Sequence, residues 1–219
     1  MCRLTLCASL VVMAAPALSQ SAKDADRYAR WEKEITALEK KQAESPPEKS
    51  GIVFAGSSTV RLWDLTTAFP KATNSGFGGS EIRDVTHFAD RIILKHEPRV
   101  IVFYAGDNDV KSGRTPQQVD EDFEAFVSAV HKQLPKTKVY FISIKPSVAR
   151  WSLFDVQTKA NKLVKDFCER DERLGYIDVV PAMLGKDGNP VPELFVKDGL
   201  HLTPKGYEIF NEAVKKGMK

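Results

Sequence analysis

Serine, glycine, asparagine and histidine occur in four short polar segments whose residue types could together catalyse acyl transfer. The segments are Gly56-Ser57-Ser58-Thr59, Asn74-Ser75-Gly76-Phe77-Gly78-Gly79, Gly106-Asp107-Asn108-Asp109 and Asp198-Gly199-Leu200-His201. A serine hydroxyl becomes a good nucleophile when a base takes its proton, and histidine is well suited to do so near neutral pH. An aspartate three residues before the histidine could hold the imidazole in one tautomer and stabilise its charged form. We therefore predict a catalytic triad of Ser58, Asp198 and His201.

Acyl transfer passes through a tetrahedral intermediate whose negative oxygen needs fixed hydrogen-bond donors. Three groups in the same segments are suitable: the backbone N–H groups of Ser58 and Gly79, and the side-chain amide of Asn108. Loss of one such donor typically slows the chemical step about 100- to 1,000-fold. These three groups form the predicted oxyanion hole.

Two further residues are candidates for substrate binding. Trp63 could stack on a sugar or an acyl chain, but a tryptophan in such a place more often covers the core, and we prefer that interpretation. Asp109 either shapes the third segment or contacts the substrate, and both roles stay open at this stage. Arg61 and Trp151 are also expected near the rim of the pocket.

The polar segments follow apolar runs that are typical of buried β-strands. Strong runs cover residues 52–55, 100–105, 139–142 and 176–180, and a weaker one covers residues 72–77. Between them, apolar residues recur every three or four positions, as in helices that bury one face. Such helices are expected around residues 82–92, 115–130, 156–167 and 203–214. Strands that alternate with helices predict an α/β domain with a parallel sheet, whose ligands bind at the carboxyl ends of the strands.

Together the four segments resemble the sequence blocks of the SGNH hydrolase family, the GDSL-like lipases and acylhydrolases, whose signature residues are serine, glycine, asparagine and histidine. The resemblance extends from about Gly51 to Tyr207. It implies a flavodoxin-like three-layer α/β/α sandwich with a central parallel sheet of about five strands. It also implies that the activity is ester hydrolysis and that no cofactor is needed.

The first segment departs from the family pattern, in which an aspartate precedes the nucleophile. Ser57 occupies that position here. Because that aspartate is not a member of the family's triad, activity is still expected, and Ser58 is assigned as nucleophile from its place in the motif. Ser57 is kept as an alternative nucleophile.

Other features of the sequence argue against unrelated functions. The net charge is +3, and acidic and basic residues are interleaved without a Lys/Arg-rich run, so nucleic acid is not an expected partner. The four histidines lack zinc-ligand spacing, and no metal site is expected. A second Asp-x-x-His sequence, from Asp84 to His87, lies in a predicted helix, where the pair is expected to be solvated or mildly stabilising.

The N-terminal residues are typical of a secretory signal peptide. Arg3 precedes an apolar stretch over residues 4–15, and Ala17-Leu18-Ser19 offers a cleavage site. We predict a signal peptide at residues 1–19 and a single esterase domain at residues 20–219, with an N-terminal helix and linker at residues 20–50 packed on it. Within that segment, apolar residues spaced by three and four predict an amphipathic helix at residues 24–41. The apolar stretch is too short for a stable membrane anchor. The exported protein is expected in a periplasm or outside the cell, and the resemblance favours a bacterial source.

Cleavage would leave Cys168 as the only cysteine, and its apolar helical surroundings predict a buried, non-catalytic thiol.

Three functions are compatible with these residues. The first is hydrolysis of small acyl esters, including acetyl esters on glycans, through an acyl-enzyme on Ser58. The second is an exported acyltransferase that uses the same triad. The third is a non-catalytic glycan- or envelope-binding module, whose only support is the missing aspartate at position 57. The expected partner is a small ester or an O-acylated glycan, and the oligomeric state is left open.

Overall fold

A computed structural model describes residues 27–218 of the chain. The predicted signal peptide at residues 1–19 lies outside the described residues. The described residues divide into two compact units between Lys33 and Glu34. In the described part of the first unit, the Arg30 guanidinium lies 3.6 Å from the centroid of the Trp31 ring. The assignment of residues 20–33 to the same domain as the rest of the chain stays a prediction.

The second unit is built on a parallel sheet of five strands in the order β2-β1-β3-β4-β5. The strands are β1 (Ile52–Gly56), β2 (Thr73–Gly76), β3 (Val100–Tyr104), β4 (Lys138–Ile142) and β5 (Leu174–Ile177). Every residue of β3 is buried, because both faces of the sheet are covered. The chain runs outward from β1 to β2 and then returns to β3 on the other side of β1. Ligands bind at such a reversal of strand order, above the carboxyl ends of β1 and β3.

Helices connect the strands and cover the sheet. From residue 32 onward they are α1 (Glu32–Glu44), α2 (Ser58–Arg61), α3 (Ile82–Ile92), α4 (Asp107–Lys111), α5 (Pro116–Gln133), α6 (Phe154–Cys168), α7 (Val180–Met183) and α8 (Pro204–Gly217). Short 3-10 turns cover Leu94–His96, Val148–Leu153 and Pro192–Leu194. Helix α5 begins where Thr115 accepts a hydrogen bond from the backbone N–H of Gln118 and Pro116 takes the first helical position. No helix within residues 27–218 is long and apolar enough to cross a membrane.

Alternate residues of each strand point to opposite layers of helices. On one face, Phe103 packs on Phe126 of α5 with ring centroids 4.4 Å apart. On the other face, Tyr104 packs on Phe210 of α8 with centroids 5.5 Å apart. Helices α3, α5 and α6 form the first layer, and α8 with the turn of α2 forms the second. The predicted three-layer α/β/α sandwich with a central parallel sheet is confirmed.

Two elements differ from the sequence-based expectation. Strand β5 covers Leu174–Ile177, whereas the apolar run predicted residues 176–180. The strand ends early because the Asp178 carboxylate accepts a hydrogen bond from the Val180 N–H at 3.0 Å, which turns the chain into α7. Helix α1 covers Glu32–Glu44, whereas residues 24–41 were predicted, and it ends just before two consecutive prolines.

The C-terminal part of α1 is tied to the edge of the sheet. The Gln42 amide donates to the Ser75 hydroxyl of β2 at 3.0 Å and to the Ile92 carbonyl of α3 at 3.1 Å. Glu39 forms an ion pair with Arg91 at 2.6 Å. These contacts fix the helix beside β2, the strand that leads to the Gly79 segment.

Candidate active site

Strand β1 ends in a tight turn that presents Ser58. Gly56 has a φ of +141°, and a Cβ there would lie 1.8 Å from the Tyr104 carbonyl oxygen, so only glycine fits. The next backbone N–H, of Ser57, donates to the same carbonyl at 2.9 Å. Ser57 is 2% exposed, whereas Ser58 is half-buried. The turn therefore brings the Ser58 side chain toward solvent and keeps Ser57 below it.

Ser58 is the first residue of α2, which has only four residues. A single turn carries little of the dipole of a long helix, so stabilisation of Ser58 by the helix's positive end is small. The activation of Ser58 must therefore come from its neighbours.

The structure brings the three predicted triad residues together. The Ser58 Oγ lies 2.9 Å from the Nε2 of His201. The Nδ1 of His201 lies 2.6 Å from the Oδ2 of Asp198. The other oxygen of Asp198 accepts hydrogen bonds from the backbone N–H groups of Leu200 at 2.8 Å and His201 at 2.9 Å. The imidazole thus stands between a serine and an oriented carboxylate, which is the geometry of a Ser-His-Asp triad.

Hydrogen bonds keep the Asp198 carboxylate ionised. Desolvation alone would raise the pKa of Asp198, but the hydrogen bonds from the His201 side chain and from the Leu200 and His201 backbone outweigh it and lower the pKa to about 2. A carboxylate that stays charged at neutral pH can stabilise an imidazolium beside it.

The loop that carries Asp198 and His201 is closed by its own backbone. The Val196 N–H donates to the His201 carbonyl at 2.8 Å, and the Gly199 N–H donates to the Val196 carbonyl at 2.8 Å. Gly199 has a φ of +66°, a conformation that favours glycine. Helix α8 follows at once, capped by the Thr203 hydroxyl, which accepts from the Gly206 N–H at 3.3 Å. This closure holds His201 at a fixed distance from the end of α8.

The predicted oxyanion donors lie at the ends of β1, β2 and β3. Gly79 has a φ of +71°, and a Cβ there would meet no atom within 4 Å, so its backbone conformation rather than crowding requires glycine. The Asn108 Nδ2 donates to the Ser80 carbonyl at 3.0 Å, which links the Gly79 segment to α4. An amide nitrogen carries two hydrogens, so a second N–H of Asn108 can point at a substrate oxygen. The Ser58 N–H is at the first residue of a helix, where N–H groups have no intrahelical acceptor.

A buried polar cluster, which the sequence did not reveal, lies next to Asn108. The Asp107 carboxylate accepts hydrogen bonds from the Lys145 ammonium at 2.9 Å, from the Gln157 amide at 3.2 Å and from the Tyr104 hydroxyl. Lys145 is 0% exposed and Asp107 is 4% exposed. We call these four residues the Asp107 cluster.

The protonation states of Asp107 and Tyr104 follow from their surroundings. Burial would raise the pKa of Asp107, but the Lys145 ammonium and the Arg150 guanidinium outweigh it and hold the pKa below its usual range. Burial, together with the Asp107 charge, raises the pKa of Tyr104 well above its usual value. The aspartate is therefore ionised and the tyrosine is neutral, so the tyrosine hydroxyl donates a hydrogen bond to the carboxylate.

The two candidate substrate residues lie away from solvent. Trp63 is 3% exposed, its ring packs edge-on against Phe54 and Phe210, and its Nε1 donates to Asn211 at 2.9 Å. It fills the core, which is the interpretation preferred from the sequence. Asp109 is 0% exposed and accepts a hydrogen bond from the Ile82 N–H at 3.0 Å, so it joins the third segment to the start of α3.

The carboxyl of Asp109 has an unusually high pKa. Burial raises its pKa to about 7, because the nearby Glu81 and Asp122 charges add to the desolvation and the Ile82 hydrogen bond compensates only in part. None of the described residues donates a hydrogen bond to its Oδ2. The Asp109 side chain therefore ties the third segment to the start of α3 and is buried away from solvent.

The second Asp-x-x-His sequence is not arranged for catalysis. Asp84 is buried, and its carboxylate accepts a hydrogen bond from the Glu81 N–H at 2.7 Å at the start of α3. His87 points to solvent one turn later. The pair was expected to be solvated or mildly stabilising: the histidine is exposed, and the buried aspartate stabilises the start of α3 by capping it.

A cavity of about 550 Å³ lies between α1, α2 and β2, with Trp63 and Asn74 in its lining. Ser58, Asp198 and His201 do not line it. The cavity and the predicted triad are therefore separate features.

Comparison with known proteins places this geometry in a family. A search of curated proteins finds no sequence match. A candidate platelet activating factor from Streptococcus pneumonia has a TM-score of 0.76 and 19% identity, over 92% of this chain and 99% of that chain. A GDSL-like lipase from Bacteroides thetaiotaomicron has a TM-score of 0.67 and 20% identity, over 86% and 95% of the two chains. A catalytic mutant of an acetylxylan esterase from Geobacillus stearothermophilus has a TM-score of 0.64 and 13% identity, over 78% and 94%.

At these identities the structures show a shared fold, and the family follows from the sequence itself. A profile of the GDSL-like lipase/acylhydrolase family matches residues 56–209, a range that includes all four polar segments and extends into α8. The chain therefore belongs to the GDSL-like lipase/acylhydrolase family and is a hydrolase that acts on ester bonds.

Proposed function

We propose that the protein is a serine esterase that works through an acyl-enzyme on Ser58. The observation that carries the proposal is the unbroken chain of hydrogen bonds from Asp198 through His201 to the Ser58 Oγ, with distances of 2.6 and 2.9 Å. Residue 57, where the family has an aspartate, takes no part in this chain of hydrogen bonds, and Ser57 is buried in the turn. The substitution at this position therefore gives no reason to prefer a binding module.

In the proposed first step, the Ser58 Oγ attacks the ester carbonyl while the His201 Nε2 takes its proton. The tetrahedral intermediate collapses, the imidazolium gives that proton to the leaving alcohol, and the acyl group stays on Ser58. In the second step a water molecule attacks the acyl-enzyme, His201 takes its proton, and the carboxylic acid leaves as Ser58 regains a hydrogen. Asp198 keeps the imidazole oriented and stabilises its charged form in both steps.

The proposed oxyanion hole consists of the Ser58 N–H, the Gly79 N–H and the Asn108 amide. Its support is that the three residues follow three adjacent strands and that Asn108 is held by Ser80 at 3.0 Å. Donors fixed before the reaction stabilise the oxyanion without reorganisation, which is the main electrostatic source of rate enhancement in acyl transfer.

Short acyl esters, including acetyl esters on sugars, are the proposed substrates. The similarity of the fold to an acetylxylan esterase supports this class, as does the apparent signal peptide at residues 1–19, since glycans are abundant outside the cell. The proposed location is a periplasm or the cell exterior. Mass spectrometry of the exported protein should give a chain that begins near Gln20, and a retained Met1 would argue against export by cleavage.

Reaction with a fluorophosphonate, followed by peptide mapping, tests the nucleophile. Such reagents modify an activated serine, so we expect label on Ser58 and no label in His201→Ala. A label on Ser57 would overturn the assignment. Release of acetate from acetylated xylo-oligosaccharides, compared with longer acyl esters, then tests the substrate class. If an added sugar acceptor takes the acyl group in preference to water, the enzyme is an acyltransferase with the same triad.

A further inference from the structure

Arg150 lies in the loop that follows β4, on the oxyanion side of the triad. The 3-10 turn Val148–Leu153 is interrupted at this residue, whose φ and ψ of −125° and 23° are not helical. Its side chain is only 13% exposed, which is unusual for arginine and indicates specific partners. No polar segment singled out in the sequence includes Arg150.

The partner of Arg150 is the amide of Asn108. A guanidinium nitrogen donates to the Asn108 Oδ1 at 3.0 Å, while the Nδ2 of the same amide donates to the Ser80 carbonyl at 3.0 Å. A guanidinium can only donate and a carbonyl can only accept, so the two neighbours select the same orientation of the amide. In that orientation the oxygen is occupied by Arg150, and the remaining N–H can face a substrate oxygen.

The charge of Arg150 also acts on the amide. A hydrogen bond from a cation to the amide oxygen polarises the group and strengthens its N–H as a donor.

The Asp107 carboxylate attracts the guanidinium electrostatically, without a hydrogen bond. The second terminal nitrogen of Arg150 lies 3.9 Å from the Asp107 Oδ1, and Asp107 is in turn bound by Lys145. One carboxylate thus faces two cations, so a net positive charge is left beside Asn108. The loop that contains Arg150 also contacts the loop that carries Asp198 and His201, which we call the acid–base loop. The Ala149 N–H donates to the Gly199 carbonyl at 3.0 Å.

We propose that Arg150 is a positioning residue that fixes and polarises the Asn108 amide of the oxyanion hole. The proposal rests on the function proposed above, since it needs Asn108 to bind the oxyanion. It predicts that Arg150 contributes to the chemical step only through Asn108.

A double-mutant cycle tests this coupling. With an acetyl ester as substrate, Arg150→Met should lower kcat about 10- to 100-fold and leave KM within about twofold, because the bond that it weakens, from Asn108 to the oxyanion, is made only in the transition state. In an Asn108→Ala background, Arg150→Met should change kcat by less than about threefold. Arg150→Lys keeps the charge but loses the planar geometry, so its kcat should lie between the wild-type and Met values.

Arg91→Met is the matched control, because it removes an arginine from an ion pair with Glu39 that is not part of the site. Its kcat should stay within about twofold of wild type.

Equal losses of kcat from Arg150→Met with and without Asn108 would overturn the proposal, as would a change confined to KM. Arg150→Lys supplies the same comparison where the Met variant does not fold. A wild-type protein that hydrolyses no ester would overturn the proposed function and this inference together, whereas an additive cycle with an active wild type overturns the inference alone.

Discussion

The two sides of the proposed active site are built differently. On the acid–base side, Asp198 and His201 come from one loop and bind each other. On the oxyanion side, the partners of Asn108 come from distant parts of the chain. Asp198 and His201 are three residues apart, and the Asp198 side chain is 47% exposed. Asn108 is held by Ser80 and Arg150, and both of those contacts span long stretches of sequence.

The difference indicates that the two sides contribute differently to the stability of the fold. An exposed ion pair contributes about 0–1 kcal/mol to folding, so the acid–base loop can serve chemistry with little effect on stability. A buried charge without its partner is strongly destabilising, so the Asp107 cluster must stay complete for the fold to persist. Mutations on the two sides should therefore separate loss of activity from loss of stability.

The largest effect is expected for His201→Ala. Without the base, Ser58 keeps its proton, and kcat should fall at least about 10,000-fold. Ser58→Ala should have a similar effect, and the double variant should be no worse than either single one, since the residues act as a unit. Steady-state rates with an acetyl ester measure this, and thermal unfolding of each variant should remain close to wild type. Additive losses would mean that the two residues do not share a step.

Asp198→Asn should come next, with a fall in kcat of about 1,000- to 10,000-fold. The amide cannot stabilise an imidazolium, and it favours the wrong tautomer of His201. The carboxylate is largely exposed, so the free energy of unfolding should change by no more than about 1 kcal/mol. Rates and denaturant titrations of the same preparation test both parts. A large loss of stability would contradict the proposed independence of the acid–base loop.

Lys145→Met should reverse that pattern. It leaves the buried Asp107 carboxylate without its closest cation, and the free energy of unfolding should fall by about 3–5 kcal/mol. Lys162→Met, which breaks an exposed ion pair with Asp166, is a matched control and should change stability by about 1 kcal/mol or less. Urea unfolding measures both. Equal stability of the two variants would show that the Asp107 cluster is not the stabilising feature inferred here.

The smallest effect is expected for Asp109→Asn, and it should depend on pH. The folded-state pKa of about 7 lies above the ordinary 3.8, so the folded protein holds a proton that the unfolded chain releases. Wild-type stability from this group should therefore be present at pH 4 and fall as the pH rises toward 7. Asparagine cannot ionise, so at pH 8 the variant should be more stable than wild type by about 2–4 kcal/mol. Unfolding titrations at pH 5 and pH 8 test this, and a pH-independent difference would contradict it.

Much of the fold could be predicted because its signal is local. The runs at residues 52–55 and 100–105 are continuous and apolar, and they became β1 and β3 with little change. The place of Ser58 after β1 and of Asn108 after β3 followed from the alternation of strands and helices. The preference for Trp63 as a core residue also agrees with its burial, because large aromatic side chains are seldom left exposed.

The support of the oxyanion side could not be predicted, since its signal is not local. Lys145 and Arg150 occur in a loop that reads as solvent-exposed, because lysine and arginine are rarely buried. Their partners, Asp107 and Asn108, are 38 and 42 residues away in the sequence. Periodicity describes which face of an element is buried, and it carries no information about which charged residues pair across loops.

Helix α6 carries a natural chemical probe at the end opposite the Asp107 cluster. The helix supplies the Gln157 amide to Asp107 and ends at Cys168, which is 3% exposed and whose thiol pKa is raised by burial to about 12. At neutral pH almost no thiolate forms, so an alkylating reagent can react only when the end of the helix opens. The rate of alkylation at Cys168 would then measure how often the end of the helix opens, without any substitution in the protein.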